Sequence, residues 1–228
     1  MKFLALLRKE LRESMPYIMI VAALLLGGGL LCINEYLRHR PSFYHPLPSG
    51  ELVGIRQLGH HVHMNGTGVL ILVCSLVLGV GLGILHFWLP QITRTWPFLI
   101  HRSASRTRIL SAKLCAALIG IPVILGSIWS VLFGHACRVE FGPVVHYRIL
   151  YEGWIMIGLG FVAYLATACS GLNTHRWHTT KLLSMVLGLC VIIVTFSQWQ
   201  IVSAVAVMSL GLVILLLQTY VFFQVKQF

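Results

Sequence analysis

Hydrophobic residues in this chain are grouped into six long runs, which polar and charged segments separate. A helix needs about 20 mostly apolar residues to cross the hydrocarbon core of a bilayer, and each run reaches or approaches that length. The pattern therefore predicts an all-α integral membrane protein with six transmembrane helices in one domain over residues 16–228. The predicted spans cover residues 16–33, 68–89, 113–136, 152–173, 181–197 and 201–223.

The last two runs form an almost continuous apolar stretch from residue 181 to residue 223. A single helix of that length would extend for about 65 Å, roughly twice the thickness of the hydrocarbon core. The chain must therefore fold back, and the polar sequence Ser197-Gln198-Trp199-Gln200 is the break at which it can do so. Trp199 also suits the membrane–water interface.

Residues 1–15 precede the first span and have the pattern of an amphipathic helix. Apolar residues recur there at helical spacing, and most charged residues fall on the other side. Such a helix lies in the cytoplasmic interface with its basic face toward anionic headgroups, whereas the alternative is a plain positively charged flank. The apolar positions are Phe3, Leu4, Leu7 and Leu11, and the basic positions include Arg8, Lys9 and Arg12.

The distribution of Lys and Arg predicts that both termini are cytoplasmic, because basic residues collect on the inner side of a membrane. With the N-terminus inside, twelve basic residues fall in inner segments and five in outer loops, the longest of which covers residues 34–67. The inner residues are Lys2, Arg8, Lys9, Arg12, Arg94, Arg102, Arg106, Arg108, Lys113, Arg176, Lys181 and Lys226, and the outer ones are Arg38, Arg40, Arg56, Arg138 and Arg148. We expect a multi-pass protein of the cell membrane.

Composition supports this class and excludes others. The chain is 57% hydrophobic and only 10% charged, whereas soluble domains average about 25% charged residues. The net charge of +11 comes from residues that flank the apolar runs, so it predicts contact with membrane lipids and no nucleic-acid partner.

Catalytic and cofactor signatures are few. The chain has no phosphate-binding loop of the Gly-x-x-x-x-Gly-Lys-Ser/Thr kind, so we expect it to be non-catalytic and to bind no cofactor itself. Its eleven histidines include His60, His61 and His63 in the long outer loop. Neutral imidazoles bind zinc or copper, so these three are candidate metal ligands, although exposed loop histidines are usually only polar residues.

The segment between the second and third predicted spans has the features of a docking element. Thr95 is a candidate N-cap for a short helix with Pro97 in its first turn, and Ser103 or Ser105 is a candidate N-cap for the next helix. Trp96, Phe98 and Leu99 stand there beside a basic cluster, which favours contact with another protein.

Two segments resemble the membrane subunits of type-2 ABC transporters. Residues 3–13, Phe-Leu-Ala-Leu-Leu-Arg-Lys-Glu-Leu-Arg-Glu, are similar to the interfacial "elbow" helix of that family. Residues 98–114, Phe-Leu-Ile-His-Arg-Ser-Ala-Ser-Arg-Thr-Arg-Ile-Leu-Ser-Ala-Lys-Leu, are similar to its coupling helix and the start of its third span. The topology with six spans also fits.

The resemblance implies a pair of permeases, which are either two copies of this chain or one copy and one homologue. Two separate ATP-binding subunits, which bind ATP and Mg, would drive the pair. Residues 95–102 would then dock on the ATPase, with the inner loop around residues 175–178 as a second contact. The implied coupling residues are Trp96, Phe98, Leu99, His101, Arg102, Arg106, Arg108, Arg176 and Trp177. Arg102, Arg106 and Arg108 would pair with acids on the ATPase or with lipid phosphates.

The resemblance has two departures that bear on cargo. Gln91, Thr93 and Arg94 stand where many relatives have an acidic residue, and few residues are available for re-entrant helices between the last two spans. The expected function is an exporter permease for small amphipathic cargo, such as a peptide, a drug or a lipid-like molecule. The alternatives are a non-transporting assembly or sensory partner and a metal-handling membrane protein that uses the outer histidines.

Overall fold

The computed structural model describes residues 2–38, 67–93, 105–138, 147–173, 182–198 and 200–225, and within these ranges all regular structure is helical. The helices are numbered in chain order. They are α1 (Lys2–Arg38), α2 (Thr67–Ile92), α3 (Arg106–Ala136), α4 (Tyr147–Leu172), α5 (Leu183–Ser197) and α6 (Ile201–Val225).

Five of the helices are long enough and apolar enough to cross a membrane, namely α1, α2, α3, α4 and α6. The chain is therefore an all-helical, multi-pass membrane protein. The predicted fifth span corresponds to α5, which is apolar but has only 15 residues and extends for about 22 Å. Six spans are thus not confirmed by helix length alone, because the hydrocarbon core is about 30 Å thick.

The N-terminal segment does not form a helix of its own. α1 is one helix of 37 residues, and Pro16 lies inside it. The predicted separate elbow helix over residues 1–15 is therefore not confirmed, since residues 3–15 are the first turns of the same helix. A proline removes one backbone hydrogen bond, but the buried side chains of Ser14 and Ile18 on either side hold the helix against the bundle.

α4 is the central helix, and it packs against α2, α6 and α5. In its most apolar window 83% of the residues are buried, whereas only 17% are buried in α6. Trp88 on α2 and Trp129 on α3 each donate an indole N–H to a backbone carbonyl of α4, at 3.1 Å from the oxygens of Thr167 and Leu150. Many large apolar side chains on α1, α5 and α6 remain exposed, as expected where helices face lipid.

Two of the described helices contain a wide turn that is associated with a proline. In α2 the segment Ile84–Trp88 is π-helical, and the Leu89 N–H bonds the carbonyl oxygen of Ile84, five residues earlier. Pro90 cannot donate to the carbonyl of His86, so the regular α-helical pattern is interrupted there. In α3 the segment Ile119–Leu125 is also π-helical and contains Pro122. Wide turns of this kind often occur at functional sites.

Candidate functional site

Polar side chains from four helices meet in the interior of the bundle, next to the wide turn of α2. We call this group the polar junction. Its members are Glu10 and Ser14 on α1, His86 on α2, Lys113 on α3 and Tyr164 on α4. None of the five residues is more than 3% exposed. Buried ionisable groups in a membrane protein are costly, and they usually mark a functional or structural site.

An ion pair forms one side of the junction. The ammonium nitrogen Nζ of Lys113 lies 2.8 Å from the carboxylate oxygen Oε2 of Glu10, and each side chain is 3% exposed. Neither charge has access to bulk water, so each depends on the other for its stabilisation. The pair ties the first turns of α1 to the first half of α3, although 103 positions separate the two residues in the chain.

The imidazole of His86 forms the other side. Its Nε2 lies 2.9 Å from the hydroxyl oxygen of Ser14 and 4.0 Å from Oε2 of Glu10. Its Nδ1 lies 3.1 Å from the hydroxyl oxygen of Tyr164, whose ring meets the imidazole edge to face. His86 lies within the wide turn of α2, and its ring contacts both α1 and α4.

The two hydroxyl groups are also donors to backbone carbonyls. Ser14 donates to the carbonyl oxygen of Glu10 at 2.7 Å, and Tyr164 donates to that of Lys113 at 3.2 Å. Each hydroxyl has a single hydrogen, so both ring nitrogens of His86 would have to be donors for all four bonds to form together. A neutral imidazole has only one N–H. With a neutral ring, either Ser14 or Tyr164 must turn its hydrogen toward the ring.

The junction can therefore hold its hydrogens in two arrangements while His86 is neutral. With the hydrogen on Nδ1, the Tyr164–Lys113 bond persists and Ser14 donates to Nε2. With the hydrogen on Nε2, the Ser14–Glu10 bond persists and Tyr164 donates to Nδ1. A charged ring makes all four bonds, but it adds a second buried cation beside Lys113. The junction is a hydrogen-bonded link among four helices.

The structure describes only part of the predicted coupling region. Arg106 is the first residue of α3, and its Nη1 donates to the carbonyl oxygen of Gln224 on α6 at 3.1 Å. Arg108 is exposed on the same helix. Ser105 directly precedes α3, as the predicted cap position requires, although its side chain makes no capping bond. The coupling residues outside the described ranges are Trp96, Phe98, Leu99, His101, Arg102, Arg176 and Trp177.

The predicted interfacial residues lie on the first turns of α1. Leu4 is 67% exposed and Arg8 and Arg12 are exposed. Phe3, Leu7, Lys9 and Leu11 are half-buried. The most buried side chains of this segment are the polar ones of Glu10 and Ser14, which the apolar pattern did not predict.

The candidate metal ligands His60, His61 and His63 lie outside the described ranges. Within the part of the chain that the structure describes, no group of three or more His, Cys, Asp or Glu side chains is placed to hold a metal ion. The polar junction itself brings only one carboxylate and one imidazole together, and Lys113 occupies the carboxylate.

The hydrophobic pattern did not predict the junction as a site. His86 lies within the second predicted span, and Lys113 lies at the inner end of the third. Two signals in the sequence point to the junction. Glu10, Ser14 and Ile18 are spaced four residues apart. His86 is a polar residue within an apolar run, and it stands four positions before a proline.

No protein-family model matches the chain, and no curated protein or solved structure matches it either.

Proposed function

We propose that this chain is the permease subunit of an ATP-driven exporter and that a separate ATP-binding subunit hydrolyses the nucleotide. In this proposal the domain has six spans, with α5 as the fifth, and the first turns of α1 lie at the cytoplasmic interface. Two permeases and two ATP-binding subunits form the complex, and both termini of this chain are cytoplasmic. The cargo is a small amphipathic molecule.

The observation that supports the proposal is the buried link between Glu10 and Lys113. The segment proposed to dock on the ATPase, residues 95–102, precedes α3 by only a few residues. Lys113 lies seven residues after the first residue of α3, which is about 10 Å along the helix axis. Because the pair is buried and its two charged groups are only 2.8 Å apart, a displacement of α3 by the ATPase would also move α1.

Two further contacts extend this mechanical path. Arg106 connects the start of α3 to the last turn of α6 through the carbonyl oxygen of Gln224. Tyr164 donates to the carbonyl oxygen of Lys113 and thereby connects α3 to the central helix α4. Movement at the cytoplasmic start of α3 would thus reach α1, α4 and α6, as alternating access requires of a permease.

The proposed coupling predicts an association that can be measured. Full-length tagged protein, purified from its native membranes in a mild detergent, should retain an ATP-binding subunit and vanadate-sensitive ATPase activity. Phe98→Asp combined with Leu99→Asp should abolish both, because the change would bury charges in the docking contact.

A control introduces one aspartate at the opposite end of the bundle. Val202 is 79% exposed near the first turn of α6, so Val202→Asp should leave the association intact. The proposal is wrong if the wild-type protein retains no ATP-binding subunit. It is also wrong if the variant at residues 98 and 99 reaches the membrane and still retains that subunit.

A further inference from the structure

A cavity of about 370 Å³ opens between α2, α4, α5 and α6. It lies at the ends of the helices opposite the polar junction, where α2, α4 and α6 begin and α5 ends. Its volume falls within the range of small-molecule sites, about 300–1,000 Å³. In the proposed orientation its mouth lies near the outer surface of the membrane.

The floor of the cavity is apolar. Met156 and Leu159 on α4 and Ala204 on α6 line it, and none of the three is more than 9% exposed. Leu159 lies seven residues after Glu152, so the floor is about 10 Å from the mouth along α4. An apolar tail of that length would displace water from this surface and gain the corresponding hydrophobic free energy.

The mouth of the cavity is polar and carries both signs of charge. Nε of Arg148 donates to Oε1 of Glu152 at 2.7 Å, one helical turn apart on α4. Gln198 and Gln200 also line the cavity, at the end of α5 and the start of α6. Among the residues that the structure describes, the rim therefore offers one cation, one anion and neutral amides, which together carry no net charge.

We propose that this cavity binds a single-chain amphipath with a zwitterionic headgroup, with its tail on the apolar floor and its headgroup over the Arg148–Glu152 pair. A phosphate or carboxylate of the ligand matches the guanidinium, and its ammonium matches the carboxylate. A headgroup with net charge of either sign meets one like charge at the rim, which disfavours it. The view that this amphipath is the exported cargo rests on the proposed function, whereas its binding does not.

The proposal predicts selectivity among headgroups on one tail. Full-length protein in maltoside detergent is titrated with four lauroyl compounds, and bound molecules are counted by native mass spectrometry. The compounds are lauroyl lysophosphatidylcholine, lauroyl lysophosphatidylglycerol, lauroylcholine and monolaurin, whose heads are zwitterionic, anionic, cationic and uncharged. The zwitterion should bind at least tenfold more tightly than each of the others. Equal binding of all four overturns the proposal.

Two phenylalanine variants test where the tail binds. Ala204→Phe fills the floor and should lower affinity for the zwitterion at least tenfold. Val205 is the next residue on α6, is 39% exposed and does not line the cavity, so Val205→Phe should leave affinity unchanged. Loss of binding in both variants, or in neither, assigns the ligand elsewhere and overturns the proposal.

Two further arms test the headgroup contact and the source of the ligand. Arg148→Ala with Glu152→Ala should remove the preference among headgroups, while Arg148→Glu with Glu152→Arg should restore it. Dilauroyl phosphatidylcholine should bind more weakly than its single-chain analogue, since the cavity accommodates one tail. If the two-chain lipid binds as tightly, the cavity is a bilayer-lipid site and the proposal fails. None of these measurements requires the ATPase, so they remain decisive if the proposed function is wrong.

Discussion

Gly79 on α2 lies directly against the carbonyl oxygen of Gly160 on α4, so that a Cβ atom at residue 79 would overlap that oxygen. The contact brings the backbones of the two helices together at the centre of the bundle. Close backbone approach at small residues is a main source of helix association in membranes, where lipid tails are as apolar as the helix surface. Gly79, which has no side chain, allows such an approach.

Gly79→Ala should destabilise the protein by about 1–3 kcal/mol, because the rigid backbone of α4 cannot move away from the added methyl group without repacking. The measurement is the thermal unfolding midpoint of the purified protein in detergent. Gly27 on α1 provides the matched control, since nothing lies within 4 Å of a Cβ built there. Gly27→Ala should be neutral or slightly stabilising, because alanine favours the helix. Equal midpoints for the two variants would contradict the packing described here.

The Glu10–Lys113 pair predicts strong non-additivity. Glu10→Gln or Lys113→Met alone leaves one buried charge without its partner, which costs about 3–5 kcal/mol. The double variant removes both charges and should recover most of that loss. The free energies of unfolding of the four proteins form a double-mutant cycle. The coupling energy is the change in the double variant minus the sum of the changes in the two single variants.

The control cycle uses a much more exposed pair on the same helix. Nζ of Lys9 lies 3.6 Å from Oε1 of Glu13, and the side chains are 42% and 54% exposed. Water and salt screen such a pair, so Lys9→Met and Glu13→Gln should each change stability by less than about 1 kcal/mol. A coupling energy at Glu10 and Lys113 no larger than that of this control would show that the buried pair is not a structural link.

The helices could be predicted from the sequence because membrane insertion depends on local composition. The length and the hydropathy of each apolar run are sufficient to indicate a helix there. The predicted separate N-terminal helix is not confirmed, for a related reason. A charged segment before Pro16 indicates a separate surface helix when it is considered alone, but tertiary contacts of Glu10 and Ser14 continue α1 through it. Local pattern contains no information about those partners.

The polar junction could not be predicted from the sequence in the same way. His86 and Tyr164 are 78 positions apart, and each lies in a run whose average hydropathy marks only a span. Hydropathy averages hide a single polar residue, and the spacing within one helix does not show which residue of another helix lies opposite. The contact between Arg106 and the carbonyl of Gln224 was not predicted either.

Tyr164→Phe tests the hydrogen-bonding part of the junction. The change removes the partner of His86 Nδ1 and the donor to the carbonyl of Lys113 while it keeps the aromatic ring. A buried polar group that loses its partner costs about 1–3 kcal/mol, and the thermal midpoint should fall accordingly. Tyr220 is 50% exposed on α6, so Tyr220→Phe should leave the midpoint unchanged. Equal effects of both changes would contradict a role for the Tyr164 hydroxyl.

The same variant should also fix the position of the hydrogen on His86. With the hydrogen on Nε2, the ring donates to Ser14, and Ser14 donates to the carbonyl of Glu10, so two bonds remain. With the hydrogen on Nδ1, only the bond from Ser14 to the ring remains. Nitrogen-15 NMR of selectively labelled His86 in Tyr164→Phe should therefore show the Nε2–H tautomer. A predominant Nδ1–H tautomer would contradict the geometry of the junction.

The number of spans can be decided by the position of the C-terminus, because each crossing reverses the side on which the chain emerges. If α5 crosses the membrane, six spans return the C-terminus to the cytoplasm, whereas five spans leave it outside.

Green fluorescent protein fused after Phe228 should fluoresce in a bacterial host, and alkaline phosphatase fused there should be inactive. Fusions after Gly50 should give the reverse result, and fusions after Ser103 should match those after Phe228. The excess of basic residues in the proposed inner segments favours this outcome, and a helix that is shorter than the hydrocarbon core can cross it where the bilayer thins locally. Active phosphatase after Phe228 would mean that α5 does not cross, and active phosphatase after Ser103 would place the proposed docking segment outside the cell.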